Sequence, residues 1–86
     1  MAKCFHLCVR TPEGVVFDGQ AEYCNLPTFG GSVGVLADHA PMLCAIRKGE
    51  MRIQTEEGTE KAISLSDGAA CVRDNSVTVL ADHAEN

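Results

Sequence analysis

Short runs in which apolar and polar residues alternate are the feature that most restricts the fold of this chain. The run from Phe5 to Arg10 places Phe, Leu and Val on one side and His, Cys and Arg on the other, which is the period of a strand half exposed to water. Turn-forming residues interrupt these runs at short intervals. Because no segment carries apolar residues at helical spacing over three turns, a helix bundle is excluded and an all-β fold is favoured.

The strand signals predict a small β-sandwich or flattened barrel of about eight to ten short, mostly antiparallel strands. We expect one short strand at Val15–Phe17, ended by Asp18-Gly19, and another from Ala21 to Leu26, ended by Pro27. Glu56 to Thr59 is predicted to be a hairpin tip. With 86 residues, the whole chain, 1–86, is expected to be one domain.

Composition excludes several classes of partner. Twelve acidic against seven basic residues give a formal net charge of −5, so we expect no binding to nucleic acid and no adhesion to an anionic membrane. No apolar run approaches the ~20 residues of a membrane-spanning helix, and no export signal is visible. Five cysteines without a C-x-x-C motif are expected to be free thiols packed as small apolar residues, which fits a reducing compartment.

The stretch from Gly30 to Pro41 is the least generic part of the sequence. Gly31 and Gly34 permit backbone conformations that other residues avoid, and Pro41 keeps Ala40 out of the helical region, so the segment is predicted to be a shaped loop. Its G-G-x-x-G spacing lacks the Lys-Ser/Thr of a phosphate-binding loop and differs from a dinucleotide fingerprint. We therefore expect neither a nucleotide site nor another cofactor.

The sequence Val-Leu-Ala-Asp-His-Ala occurs twice, at 35–40 and at 79–84. The two Asp-His pairs, Asp38-His39 and Asp82-His83, could supply nitrogen and oxygen ligands for zinc or another divalent metal. The other interpretation is two unrelated strand ends, since no similarity extends on either side. We predict no metal site, because lone Asp-His pairs are frequent and adjacent residues on a strand point to opposite faces. His39 alone could act as a general base, but no nucleophile or paired acid accompanies it, so we predict no catalytic residue.

Three blocks of the sequence resemble one known family. The run from Gly31 to Ile53 resembles the G-x-x-G-(I/V)-x-x-x-H-A-P-(L/M)-x-x-x-I-x-x-G-x-(L/M)-x-I pattern of the epsilon subunit of F-type ATP synthases. Ser66–Val72 is similar to the family's S-G-G-x-x-x-V, with Asp67 as the departure, and Val77–Asp82 is similar to its closing V-T-V-L-A-D. The blocks cover nearly the whole chain, and the resemblance implies the family's N-terminal β-sandwich domain.

The resemblance also implies a function and its contact residues. It implies a non-catalytic rotor subunit of a proton-translocating ATP synthase that links the central-stalk gamma subunit to the membrane c-ring, peripheral on the cytoplasmic face of the bacterial inner membrane. The implied gamma contacts are His39, Ala40, Pro41, Met42 and Cys44. The implied contacts with the polar loops of the c-ring are Phe29, Gly30, Gly31 and Ser32. The family often has an acidic residue near the position of Ser32, which this sequence lacks.

Two features leave alternatives open. The apolar run Met42–Ile46 is either a strand buried on both faces or a strand partly exposed for a partner. Members of the family commonly continue into a C-terminal helical hairpin that can bind ATP or inhibit the motor, whereas this sequence ends at Asn86, where that linker would start; we expect neither property here. The alternative functions are a β-sandwich binding module unrelated to the synthase and a divalent-metal site built from the two Asp-His pairs.

Overall fold

A computed structural model describes residues 3–85 and contains nine β-strands. In chain order they are β1 Phe5–Thr11, β2 Gly14–Thr28, β3 Gly31–Leu36, β4 Met42–Ile46, β5 Gly49–Thr55, β6 Glu60–Leu65, β7 Gly68–Arg73, β8 Ser76–Ala81 and β9 Ala84–Glu85. The predicted all-β class is confirmed. Within the described residues there is no helix long and apolar enough to cross a membrane.

The strand pairings divide the fold into two layers that share the long strand β2. The first half of β2 pairs with β1, and β1 leads through β8 and β7 to β4; we call this the β1 layer. The second half of β2 lies between β3 and β5, and β5 leads through β6 to β9; we call this the β5 layer. Only β1 and β8 run parallel. Within residues 3–85, β3 pairs with β2 alone, so its other edge is open and the fold is a sandwich.

A β-bulge between Ala21 and Tyr23 lets β2 serve both layers. Ala21 is buried before the bulge, whereas Cys24 and Leu26 are buried after it, so the inward-facing positions change from odd to even numbers. The extra residue of a bulge bends and twists a strand, which is how strands turn the corner between packed sheets. The bulge therefore keeps apolar side chains of both halves of β2 directed at one core.

Three local predictions of the sequence analysis were wrong. Asp18 and Gly19 do not end a strand, because both pair with β1, and Pro27 pairs with β3. The backbone pairing offered by β1 outweighs the local turn preference of Asp-Gly. The glycine-rich stretch is also only partly a loop, because Gly31–Leu36 forms β3 and the segment without strand geometry is limited to residues 37–41.

The core is formed by the inward-facing residues of both layers. Its largest fully buried members are Phe5, Leu7, Val9, Cys24, Leu26, Val35, Ile46, Met51, Ile53, Ile63, Val77 and Val79. This confirms the predicted inward face of β1. At the rim of the sandwich, the ammonium group of Lys61 lies 5.8 Å from the ring centroid of Phe17 and covers its face.

The hairpin turns follow their sequence signals. Gly58 has a φ of 85° at the predicted tip between β5 and β6, where the backbone N–H of Thr55 donates to the carbonyl of Thr59 at 2.9 Å. Asp74 and Asn75 connect β7 to β8 with φ values of 51° and 58°. Two successive left-handed residues define the type I′ turn, whose twist matches that of the flanking strands.

Of the glycines in the chain, Gly68 has the least room for a side chain, because its strand β7 lies close against β8. A Cβ atom there would lie 2.0 Å from the carbonyl oxygen of Leu80, so the two strands would have to separate. We expect Gly68→Ala to lower the free energy of unfolding by about 3 kcal/mol, measured by urea denaturation. Gly30→Ala is the matched control, because its new Cβ would have its nearest neighbour at 3.9 Å. Equal stability of the two variants would contradict the packing argument.

Candidate binding surfaces

The predicted c-ring residues lie together at the tip of the β2–β3 hairpin. Phe29 is 70% exposed, and Gly30, Gly31 and Ser32 are also exposed. Gly31 has a φ of 115°, and the hydroxyl of Thr28 donates to its carbonyl oxygen at 2.5 Å. The ring of Phe29 is therefore exposed to solvent and does not pack in the core. The turn that carries it is stabilised by the hydrogen bond between Thr28 and Gly31.

The predicted histidine contact lies in the segment between β3 and β4. His39 is half-buried, and its Nδ1 lies 2.7 Å from the carbonyl oxygen of Ala40. Ala40 and Pro41 are exposed. Asp38 enters the segment with a φ of 62°, an uncommon conformation for a residue other than glycine. This contact joins His39 to its neighbour in sequence, so it gives no evidence that His39 acts as a general base.

Strand β4 places its side chains on two different surfaces. Met42 and Cys44 are half-buried and pack against the core, whereas Leu43 and Ala45 point to solvent. Leu43 is 78% exposed, so the run is not buried on both faces. The contacts predicted from the sequence, Met42 and Cys44, lie on either side of Leu43 and do not include it. The alternation that ends at the buried Ile46 would have identified it.

Leu43 belongs to a larger outward surface of the β1 layer, on β4, β7 and β8. Cross-strand pairing places six small or apolar residues in two rows, Leu43–Cys71–Thr78 and Ala45–Ala69–Leu80. We call these six residues the apolar face. It includes Leu80, which is 53% exposed, and none of the six is charged. Contiguous apolar surface is common at sites where proteins contact one another.

The outward surface of the β5 layer has the opposite character. The guanidinium group of Arg52 pairs with Glu50 at 3.3 Å and with Glu60 at 3.1 Å. The side-chain amide of Gln54 donates to Glu22 at 3.3 Å. Covering such a surface would remove water from several charged groups, which costs free energy. The six-residue apolar face is therefore better suited to a protein partner than the outer surface of the β5 layer.

The two Asp-His pairs make separate local contacts. Asp38 forms an ion pair with Lys3 at 3.2 Å. The backbone N–H of His83 donates to the hydroxyl of Ser66 at 2.8 Å. In the part of the chain from Lys3 to Glu85, no group of three or more His, Cys, Asp or Glu side chains could hold a metal ion. The structure therefore gives no support to a metal site built from both pairs.

Asp67, the departure from the family pattern, has a local structural role. Its Oδ1 accepts a hydrogen bond from the backbone N–H of Lys48 at 2.8 Å. It also lines an open groove of about 540 Å³ with Glu13, Asp82 and His83 among its neighbours. Because groups of both charge signs are mixed around the groove, the lining indicates no particular class of ligand.

All five cysteines are free thiols that differ in their surroundings. Cys24 lies in the core, and burial raises its pKa to about 12. Burial also raises the pKa of Cys44, on β4. Since the thiolate is the reactive form, Cys24 is chemically inert in the folded protein. Cys71 lies on the apolar face and is half-buried.

The fold is a β-sandwich domain with one uncharged apolar outer face and one exposed hairpin tip. A family model described as "ATP synthase, Delta/Epsilon chain, beta-sandwich domain" matches residues 4–86. The chain belongs to this family.

The chain is similar to ATP synthase epsilon chains of bacteria and chloroplasts. The chain is 44% identical over 85 residues to the ATP synthase epsilon chain of Desulfitobacterium hafniense, covering 99% of this chain and 64% of the relative. It is 40% identical over 80 residues to the chloroplastic epsilon chain of Tupiella akineta, covering 93% of this chain and 61% of the relative. The chain thus spans less than two thirds of the length of these relatives.

Two solved structures share the fold. A chain in the Euglena gracilis mitochondrial ATP synthase, solved as OSCP/F1/c-ring, superposes with a TM-score of 0.87 at 22% identity, covering 98% of this chain and 53% of that one. A chain in the Tetrahymena thermophila mitochondrial ATP synthase, solved as central stalk and c-ring, gives a TM-score of 0.79 at 17% identity, covering 94% and 65%. At these identities the likeness establishes the fold.

The raised pKa of Cys24 predicts how stability depends on pH. In the unfolded chain this thiol releases its proton near pH 9, but in the folded protein only near pH 12. Between these values the folded state binds more protons, so the free energy of unfolding falls as pH rises. We expect a steeper fall for the wild type than for Cys24→Ala, by up to about 1.4 kcal/mol per pH unit, in urea denaturation at constant ionic strength. Identical slopes would contradict the burial of this thiol; the lower overall stability of the variant does not affect the comparison.

Proposed function

We propose that this chain is the β-sandwich domain of an ATP synthase epsilon chain and acts as a non-catalytic subunit of the rotor, between the gamma subunit and the membrane c-ring. Its similarity to named epsilon chains over 99% of its length supports the assignment. The proposal that the domain docks on another subunit rests on one contrast: the apolar face is uncharged, whereas the outer surface of the β5 layer carries ion pairs.

The apolar face is the proposed contact with gamma. The predicted contacts His39, Ala40 and Pro41 lead directly into β4, so the loop and the face are continuous along the chain. Leu43 has the most apolar surface to lose on docking, and complete burial of such a side chain contributes roughly 1.5–3 kcal/mol. Met42 and Cys44, also predicted contacts, pack beneath the strand and set its position.

The hairpin tip is the proposed contact with the polar loops of the c-ring. The exposed ring of Phe29 supplies apolar area, and the two glycines beside it leave room for another backbone to approach. Ser32 offers a neutral hydroxyl for hydrogen bonding in place of a charge. The bond from Thr28 to Gly31 keeps the turn stiff, which suits a contact that must bear load.

The function proposed for these two contacts is mechanical. The strands are hydrogen-bonded to neighbours throughout both layers, so a force applied at the tip is carried through the sandwich to the apolar face. In the assembled enzyme the domain would help couple ion flow through the c-ring to ATP synthesis. It would lie on the cytoplasmic face of the bacterial inner membrane as a peripheral part of the complex.

We expect Leu43→Glu to weaken binding to purified gamma subunit at least about tenfold, because docking would then bury an unpaired carboxylate. Binding is measured by surface plasmon resonance, and the thermal midpoint is expected to stay near the wild-type value because Leu43 is 78% exposed.

Ala62→Glu is the matched control for the gamma experiment. Ala62 is exposed on β6, in the β5 layer, so the substitution adds the same charge to the other outer surface. We expect this variant to bind gamma as the wild type does. Equal losses for the two variants, or wild-type binding by Leu43→Glu, would disprove gamma docking through the apolar face.

For the hairpin tip, we expect Phe29→Ser to reduce retention of the domain, together with gamma, on detergent-solubilised c-ring several-fold, because it removes the exposed ring without disturbing the core. Co-sedimentation measures the retained fraction. Glu57→Ser, at the tip of the β5–β6 hairpin, is the control and is expected to be retained fully. Unchanged retention of Phe29→Ser would exclude the tip as a contact.

A further inference from the structure

Asn75, in the turn between β7 and β8, joins three segments that are distant in sequence. Its side-chain N–H donates to the carbonyl oxygen of Cys4 at 2.9 Å. Its side-chain oxygen accepts from the backbone N–H of Asp38 at 2.8 Å. Its own carbonyl oxygen accepts from the backbone N–H of His6 at 3.1 Å. One residue thus connects the segment before β1, the start of β1 and the segment between β3 and β4.

The position demands an asparagine in two respects. The turn places residue 75 at a φ of 58°, which asparagine tolerates better than most residues other than glycine. The two side-chain bonds require a donor and an acceptor on the same short side chain, and the asparagine amide supplies them on two separate atoms. Aspartate would keep the acceptor and lose the donor, whereas glycine would keep the backbone conformation and lose both bonds.

The bond to Asp38 holds the segment of residues 37–41 in place. In the described part of the chain, the side-chain hydrogen bonds that tie this segment to other segments both involve Asp38, one to Asn75 and one to Lys3. The ion pair with Lys3 is exposed on both sides, and exposed pairs stabilise little. Asp38 also has a φ of 62°, in the left-handed region that aspartate tolerates better than most residues but that remains uncommon. The Asn75 bond is therefore the main restraint on this conformation.

We propose that Asn75 is a positioning residue for the gamma-binding surface. By fixing Asp38, it sets the path of His39, Ala40 and Pro41 and thereby the entry into β4, where Leu43 begins the apolar face. The inference rests on the proposed function, because it assumes that gamma binds there. Asn75 itself need not touch gamma; its side chain is already engaged with Asp38 and Cys4.

The test compares Asn75→Gly with Asp74→Gly in the same turn. Both substitutions keep the left-handed backbone, but the carboxylate of Asp74 contacts Arg73 only weakly, at 3.4 Å, and has no bond to the segment of residues 37–41. Hydrogen exchange of the Asp38 amide, followed by NMR, reports the restraint without gamma. We expect exchange to become at least about tenfold faster in Asn75→Gly and to stay unchanged in Asp74→Gly.

Gamma binding gives the second measurement. We expect Asn75→Gly to weaken gamma binding about five- to tenfold relative to Asp74→Gly, because the segment must be ordered on docking. Asn75→Asp keeps the acceptor for Asp38 and is expected to retain slow exchange and near wild-type affinity. Fast exchange without loss of affinity, or unchanged exchange in Asn75→Gly, would overturn the proposal.

The two proposals can fail separately. If the wild-type chain does not bind gamma at all, the proposed function fails, while faster exchange in Asn75→Gly would still establish the restraint on Asp38. If the wild type binds gamma and the losses in Asn75→Gly and Asp74→Gly are equal, the positioning role is disproved and the docking surface stands.

Discussion

The change of inward face along β2 is the constraint on which the rest of the structure depends. Without the bulge between Ala21 and Tyr23, the strict period of two would direct Cys24 and Leu26 to solvent if Ala21 faced the core. A strand of this length would then give buried side chains to one layer only. The bulge lets a single strand supply both layers. A sequence of 86 residues can therefore build a two-layer core without a loop that crosses from one layer to the other at this point.

The two layers share one core but differ on their outer surfaces, and this difference supports the assignment to a protein assembly. Arg52 and its two glutamates compensate each other's charge at the surface and gain nothing from a covering partner. The apolar face has no comparable internal partners, and its small side chains leave Leu43 and Leu80 projecting. A domain that only needed solubility would gain more from polar residues at these positions.

The sequence predicts the all-β class, several turns and the inward faces of single strands, because these depend on local chemistry. Asp74 and Asn75, for example, favour a tight turn whatever lies around them. The sequence does not predict that β2 is continuous. Asp18-Gly19 favours a turn by local preference, and only the hydrogen bonds to β1 keep these residues in the strand.

The proposed binding surfaces, too, could be predicted only in part from the sequence. The resemblance predicts Phe29 as a contact, and the alternation along β4 contains enough information to find Leu43. The rows of the apolar face depend on pairing between strands far apart in sequence, and no periodicity within one strand reveals them. The bond between Asn75 and Asp38 is likewise tertiary: thirty-seven positions separate the two residues.

The parallel pairing of β1 with β8 has a consequence for how the protein is made. His6 lies beside Ser76, which comes much later in the sequence, so one edge of β1 stays uncovered during synthesis until β8 has been made. Its other edge is covered early by the adjoining β2 hairpin. Contacts of such long range slow folding and leave an uncovered strand edge that favours association with other chains. Newly synthesised chains therefore have a period of vulnerability to aggregation that ends only when the β7–β8 hairpin docks.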